Sequence, residues 1–261
     1  MDHVTLGDGT RLAYRFDGPQ DAPVLLLSNS LGTDHAMWDP QIAGLAQHFR
    51  VLRYDQRGHG ASDAPAGAYS MDRLGRDVAE LLDALGIVKA HFCGLSLGGM
   101  VGQWLVVHAP ERIDRLILAN TSAYMGPPSG WQSRIAGVLA DGMAPLAQAS
   151  IGRWFTPDFP EAEPEAVEPI RQMLLANNPA GYAGCCAAIR DMDQRPTAPL
   201  NRLPTLVIAG AQDQATPVEA SRFLVEAAAD ARLQVLDSAA HLSNVEQAEA
   251  FLAAMLAFLK G

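Results

Sequence analysis

The sequence is poor in cysteine, short of basic residues and free of long apolar runs. Its 261 residues include three cysteines, Cys93, Cys185 and Cys186. An odd count with a vicinal pair, poorly placed to bridge to itself, spells out neither a disulfide framework nor a zinc site. Cys93 reads as a small buried hydrophobe in a strand. Lys and Arg number 19 against 29 Asp and Glu, a formal charge of −10. Without a dense basic patch, the phosphates of a nucleic acid would be repelled. A local arginine can still receive a small anion against that field. No stretch approaches the roughly 20 apolar residues of a membrane span. Met1-Asp2-His3-Val4-Thr5 has neither the positive nor the hydrophobic region of a secretory signal. These absences predict a reduced, cytoplasmic protein that binds neither nucleic acid nor membrane. Internal repeats and low-complexity tracts are lacking too. With 49% hydrophobic and 18% charged residues, the chain can build one large α/β domain with an insertion, or two small domains.

Short apolar runs alternate with amphipathic helical stretches. Strands are predicted at Val4–Leu6, Leu12–Phe16, Val24–Ser28, Val51–Tyr54, Ala90–Leu95, Arg115–Ala119, Thr205–Ala209 and Leu233–Leu236. Helices are predicted between several of them, as at Met71–Leu85, Gly99–His108, Val218–Ala228 and Gln247–Leu259. This rhythm predicts an α/β fold, with a mostly parallel sheet and helices on both faces. Gly7-Asp8-Gly9 between the first two strands predicts an antiparallel hairpin at the start. The alternation breaks in a proline-rich stretch between Tyr124 and Pro199. Residues 124–198 are read as a helical cap inserted into a core formed by residues 1–123 and 199–261. A second small domain is the alternative, but the stretch has little strand or periodic core of its own.

Gly94-Leu95-Ser96-Leu97-Gly98 joins a predicted strand to a predicted helix. A Gly-x-Ser-x-Gly turn in that context holds the serine in a strained conformation, with its hydroxyl above the sheet and small neighbours on either side. The amide of Leu97 then points where an oxyanion would develop, an arrangement suited to acyl transfer through a serine nucleophile. The bland alternative is a Gly-rich turn. Such a nucleophile needs a base and an acid to orient it. Asp213 follows the strand at Thr205–Ala209, and His241 follows the strand at Leu233–Leu236. Carboxyl ends of parallel strands share one edge, so Ser96, Asp213 and His241 can converge. Asp213 could instead only cap the helix after Thr216-Pro217, and His241 could be a surface residue. Asp237, Asp191 and Asp193 compete as acids, and His59, His35 and His91 as bases. The loop Ser28-Asn29-Ser30-Leu31-Gly32 offers the Leu31 amide as the second oxyanion donor. Tyr54 to Ser62 is dense in turn formers but lacks a Walker lysine, and reads as a structural turn supporting those loops.

Asp55-Gln56-Arg57-Gly58-His59-Gly60-Ala61-Ser62, the Ser96 elbow, Asp213 in an Ala-Gly-x-x-Asp setting and the late His241 resemble the α/β-hydrolase superfamily across essentially the whole chain. Several segments look like the 3-oxoadipate enol-lactonases within it: Ser28 to Asp34 with Met37-Trp38, Gly94 to Gln103, Cys186 to Asp191, and His241-Leu242-Ser243-Asn244-Val245-Glu246. Many superfamily members carry His-Gly where this chain has Asn29-Ser30. The resemblance implies hydrolysis of the enol-lactone of 3-oxoadipate in bacterial aromatic catabolism, without metal or organic cofactor. It also implies a small anionic lactone as ligand, so the cap should offer a cation to the carboxymethyl group. Among the cap arginines, Arg134 is three residues from Trp131 and would share a helix face with it. That pair is the first choice as substrate-binding, and Arg190 the next.

Overall fold

In the computed structural model, which describes residues 1–261, eight strands form one sheet. They are β1 (Asp2–Thr5), β2 (Arg11–Asp17), β3 (Val24–Ser28), β4 (Arg50–Tyr54), β5 (Ala90–Leu95), β6 (Ile113–Ala119), β7 (Thr205–Gly210) and β8 (Ala231–Leu236). Their spatial order is β1-β2-β4-β3-β5-β6-β7-β8. β1 and β2 form the expected antiparallel hairpin, with Val4 opposite Leu12. β1 begins and ends earlier than its apolar residues suggested, because its pairing with Arg11–Tyr14 sets the register. β2 also pairs antiparallel with β4, and every remaining pairing is parallel.

Burial follows from position in the sheet. β7 lies between two neighbours and is buried at every residue, so its Thr-Leu-Val-Ile-Ala-Gly sequence shows no alternation. β8 is an edge strand, and its less buried residues alternate with exposed ones.

Outside the connection from β6 to β7 the helices are α1 (Asp39–Leu45), α2 (Met71–Ala84), α3 (Leu97–His108), α9 (Val218–Ala227), α10 (Ser243–Glu246) and α11 (Ala248–Leu259). α2 and α3 pack together, as do α1 and α11, and the two groups cover the sheet faces. α2 is amphipathic. Met71, Leu74, Val78, Leu81 and Leu82 are buried, and Ser70 Oγ caps its start by accepting the Arg73 N–H at 3.1 Å. α3 begins at Leu97, two residues before the predicted start. Gly98 and Gly99 are weak helix formers, and here packing against the sheet decides.

Five helices lie between β6 and β7: α4 (Pro128–Asp141), α5 (Ala144–Trp154), α6 (Phe159–Ala162), α7 (Pro164–Ala176) and α8 (Pro179–Asp191). Each has a proline in its first two positions. There the missing N–H costs nothing, so the prolines that break the β/α rhythm in the sequence start these helices. No helix is long and apolar enough to cross a membrane.

The sheet order places the site. From β3 the chain steps outward to β4 and then crosses back to β5 on the other side. The loops after β3 and β5 therefore diverge from a shared edge and leave a crevice, where ligands bind in open α/β sheets.

Candidate active site

The turn after β5 is held from several sides. Ser96 has φ of 56°, a left-handed conformation that costs a non-glycine residue of the order of 1–3 kcal/mol. Its amide donates to Ala119 O at 2.9 Å, and its carbonyl accepts from Thr121 Oγ1 at 2.8 Å. Gly98 donates its N–H to Asn29 O at 3.0 Å, which draws the β3 loop against the elbow. A Cβ on Gly98 would lie 2.1 Å from Ser28 O, and one on Gly94 would lie 2.2 Å from Gly98 O. Both glycines are demanded by backbone-to-backbone approach. Gly98→Ala should therefore lose at least about 3 kcal/mol of stability. Urea unfolding checks this, and a variant as stable as the parent would contradict the packing.

The structure brings Ser96 and His241 to one cavity of about 310 Å³, also lined by Leu31, Trp131, Arg134 and Arg153. Asp213 lies behind the imidazole, its Oδ2 at 2.9 Å from His241 Nδ1. A carboxylate only accepts, so Nδ1 carries a proton, and in the uncharged tautomer that this bond selects the Nε2 lone pair is free. No hydrogen bond joins Ser96 to His241, a contact that in such sites commonly tightens around substrate. Asp213 Oδ2 also accepts from Thr216 Oγ1 at 2.6 Å and Asn120 Nδ2 at 3.0 Å. Its Oδ1 accepts the amides of Ala215 and Thr216 at 2.8 and 2.9 Å. Asp213 does not cap α9, whose first residue is Val218: the amides it accepts lie in the loop ahead of that helix. Burial alone would raise the Asp213 pKa. The His241 charge, with hydrogen bonds from His241, Thr216 and Asn120, outweighs burial and holds it far below the ordinary 3.8.

Asp237 lies exposed just after β8, and the other competing residues are engaged elsewhere. Asp191 pairs with Arg190 and Asp193 with Arg195. His91 faces Asp114, and His35 pairs with Asp55. His59 is fully buried, and burial pushes its pKa down to about 4. In its neutral form Nε2 accepts the Gly32 N–H at 2.9 Å. Gln56 Nε2 donates to Asn29 O at 2.6 Å, and Asn177 Nδ2 donates to Gly32 O at 2.8 Å. The turn at 54–62 therefore braces the Ser28–Gly32 loop, with α7's end adding a further tie. Neither the Leu31 nor the Leu97 amide is engaged by another protein group; Leu97 is the first residue of α3, whose opening amides have no intrahelical acceptor. Asp34, His35 and Asp55 bring three potential metal ligands within 4.8 Å. Their oxygens, however, already accept the amides of Ala36, His35 and Ala61, so the trio is a loop brace.

Trp131 and Arg134 share the cavity-facing side of α4, and the Arg134 guanidinium lies 4.7 Å from the Trp131 ring centre. Arg190 is a correction. It does not line the cavity, and its guanidinium is spent on Asp191 and on Gln132 Oε1. The second cavity cation is Arg153, on α5. What separates its local sequence from that of Arg190 and Arg195 is the lack of an acid within two residues. Asn120, Thr216 and Glu246 were also missed as site residues. Asn120 had a positional signal, since it follows β6 at the same sheet edge as the other loops. Glu246 accepts the Ala240 amide at 2.7 Å and the Thr156 amide at 2.8 Å, tying the His241 loop to the residues after α5.

The chain belongs to the α/β-hydrolase family, whose model, described as the alpha/beta hydrolase fold, matches residues 23–248. It is a hydrolase. Among known proteins it is similar to 3-oxoadipate enol-lactonase 2 of Acinetobacter baylyi, with 47% identity over 259 residues, covering 99% of this chain and 96% of the relative. It is also similar to 3-oxoadipate enol-lactonase 1 of the same organism, with 38% identity over 257 residues, 98% of this chain and 96% of that one. The crystal structure of the enol-lactonase from Burkholderia xenovorans LB400 superposes with a TM-score of 0.97 at 45% identity, covering 100% of both chains.

Proposed function

We propose that this protein hydrolyses the enol-lactone of 3-oxoadipate to 3-oxoadipate, a step of bacterial protocatechuate and catechol catabolism in the cytoplasm. The observation that carries this reading is the shared cavity. Ser96 and an Asp213-oriented imidazole face the same space as cap guanidinium groups without a carboxylate partner. Similarity to the enol-lactonases supplies the substrate.

In this mechanism His241 Nε2 takes the Ser96 proton as Oγ bonds to the lactone carbonyl carbon. The amides of Leu31 and Leu97 hold the resulting oxyanion. The ring C–O bond then breaks, leaving an acyl group on Ser96. The departing enol oxygen takes the proton from His241, and the enol becomes a ketone. An enolate is less basic than an alkoxide, so proton donation matters less here than for an alkyl ester. Water, deprotonated by His241, attacks the acyl carbon, and Ser96 Oγ leaves with that proton. Residues 124–198 act as the cap, and Arg134 stacked on Trp131 receives the carboxymethyl group.

Purified protein assayed against the enol-lactone, p-nitrophenyl acetate and a ring-fission dienoate tests the reading. A higher kcat/KM for the enol-lactone than for either rival is the expected result, and a preference for the dienoate would replace it with C–C bond hydrolysis. Arg134→Ala should raise KM for the enol-lactone about tenfold or more, the value of a hydrogen bond to a charged group. A KM and kcat both near the parent's would remove Arg134 from the substrate.

A further inference from the structure

The arginines of residues 124–198 divide into two sets. Arg171 pairs with Glu168, Arg190 with Asp191 and Arg195 with Asp193. Arg134 and Arg153 pair with no carboxylate, and these are the two that line the cavity. No Asp or Glu lines it either. Two cations therefore face one space, in a chain whose formal charge is −10. They are close enough to repel, since burial and then the Arg134 charge lower the Arg153 pKa. An unpaired, partly desolvated charge is costly, and two that repel cost more. An anion placed between them removes both penalties.

The two arrive by different routes. Arg134 is carried by α4 and Arg153 by α5. α5 in turn is tethered to the loop of His241, because Leu242 donates its N–H to Trp154 O at 2.9 Å and Glu246 binds the Thr156 amide. The position of Arg153 is thus tied to the imidazole loop through Trp154 and Thr156, which follow it in the chain.

We infer that Arg153 is a specificity-determining residue that grips one substrate carboxylate jointly with Arg134, so that the preferred substrates are lactones and esters bearing a free carboxylate. Two guanidinium groups can each supply paired donors to the two oxygens of one carboxylate. A further consequence concerns the product. Ring opening of such a lactone yields a dicarboxylate, which retains the gripped group and so remains a ligand of the same cavity. The enzyme should be inhibited by aliphatic dicarboxylates in competition with substrate. The inference rests on the lactonase reading for the substrate but not for the anion site.

Adipate, a dicarboxylate without a scissile bond, probes the site directly, with adipamide as the uncharged control. Calorimetric titration of the parent protein should show adipate binding and a far weaker response to adipamide. Arg153→Gln should weaken adipate binding at least tenfold, and Arg153→Lys should restore part of it. In kinetics, the ratio of kcat/KM for the carboxylated enol-lactone to that for p-nitrophenyl acetate should fall at least tenfold in Arg153→Gln, chiefly through KM. The double variant with Arg134→Gln should lose less than the product of the two single losses, because one carboxylate is shared. Unaltered adipate affinity in Arg153→Gln, or equal losses for charged and uncharged ligands, would overturn the inference. Adipate binding that depends on Arg153 in a protein that does not turn over the enol-lactone would sink the lactonase reading and leave the anion grip standing.

Discussion

Ser96→Ala is expected to reduce enol-lactone turnover by about ten-thousandfold or more while leaving the fold intact. The expectation rests on what the substitution removes. Only Oγ is lost, and that atom forms the bond to the acyl carbon in the proposed mechanism. The surrounding backbone ties do not use it: the amide bond to Ala119 O and the Thr121 bond to the Ser96 carbonyl both survive. Alanine must adopt the same left-handed conformation, φ 56°, so the strain is retained rather than relieved. The two free amides at Leu31 and Leu97 also remain, so some acceleration over water persists through oxyanion binding alone. Initial rates, together with a thermal unfolding curve matching the parent's, make the comparison. A folded variant that keeps near-normal turnover would remove the covalent step, and with it Ser96 as nucleophile.

The elements most legible in the sequence were those whose local pattern and global role agree. β5 and β7 read as strands because burial on both faces demands a continuous apolar run, and no helix of such length would be bounded by those turns. Ser96, Asp213 and His241 could be placed because each follows a strand of a parallel sheet, and such positions meet at one edge whatever lies between them. Less legible were contacts made by the inserted segment. Arg134, Arg153 and Arg190 look alike as residues, and what separates them is which helix face meets the cavity and which meets an acid. Arg190 has Asp191 beside it in sequence and is satisfied locally. Arg153 has no such neighbour, a weak signal whose meaning appears only once the cavity is known. The prolines were legible as a break in the β/α rhythm but not as helix starts, although five of them open helical first turns.

Support for the β3 loop was legible only in outline. The turn chemistry of residues 54–62 pointed to a scaffold role, but not to its means. The structure shows two opposed ties on Gly32, with His59 Nε2 accepting its N–H and Asn177 Nδ2 donating to its carbonyl. These bonds hold the two successive peptide units on either side of Gly32, Leu31–Gly32 and Gly32–Thr33, and so restrict the backbone immediately after the Leu31 amide. In the proposed mechanism the Leu31 amide is an oxyanion donor, and donors held in place beforehand stabilise developing charge without reorganising during the reaction. A neutral His59 is required, and complete burial provides it.

Asp213→Asn should lower kcat by about ten-thousandfold, nearly as much as loss of the nucleophile, without emptying the site. The amide is isosteric, and the Ala215 and Thr216 N–H groups, which donate to Oδ1, keep the amide oxygen on their side and leave its nitrogen at the Oδ2 position. What changes is the other partner. An amide nitrogen turned toward His241 Nδ1 offers a proton where the carboxylate accepted one, so the imidazole takes the tautomer with its proton on Nε2 and cannot receive the Ser96 proton. The same substitution carries a pH signature. The folded Asp213 pKa is depressed below 3.8, so folding favours the ionised form. Its contribution to stability is fully present above the ordinary carboxylate range and is lost as pH falls through 3.8 toward the depressed value. Unfolding measured between about pH 5 and pH 2 should show the parent losing stability more steeply than Asp213→Asn, as expected for one fewer linked proton. Parallel acid profiles, or a kcat within tenfold of the parent's, would show that Asp213 does not orient the base.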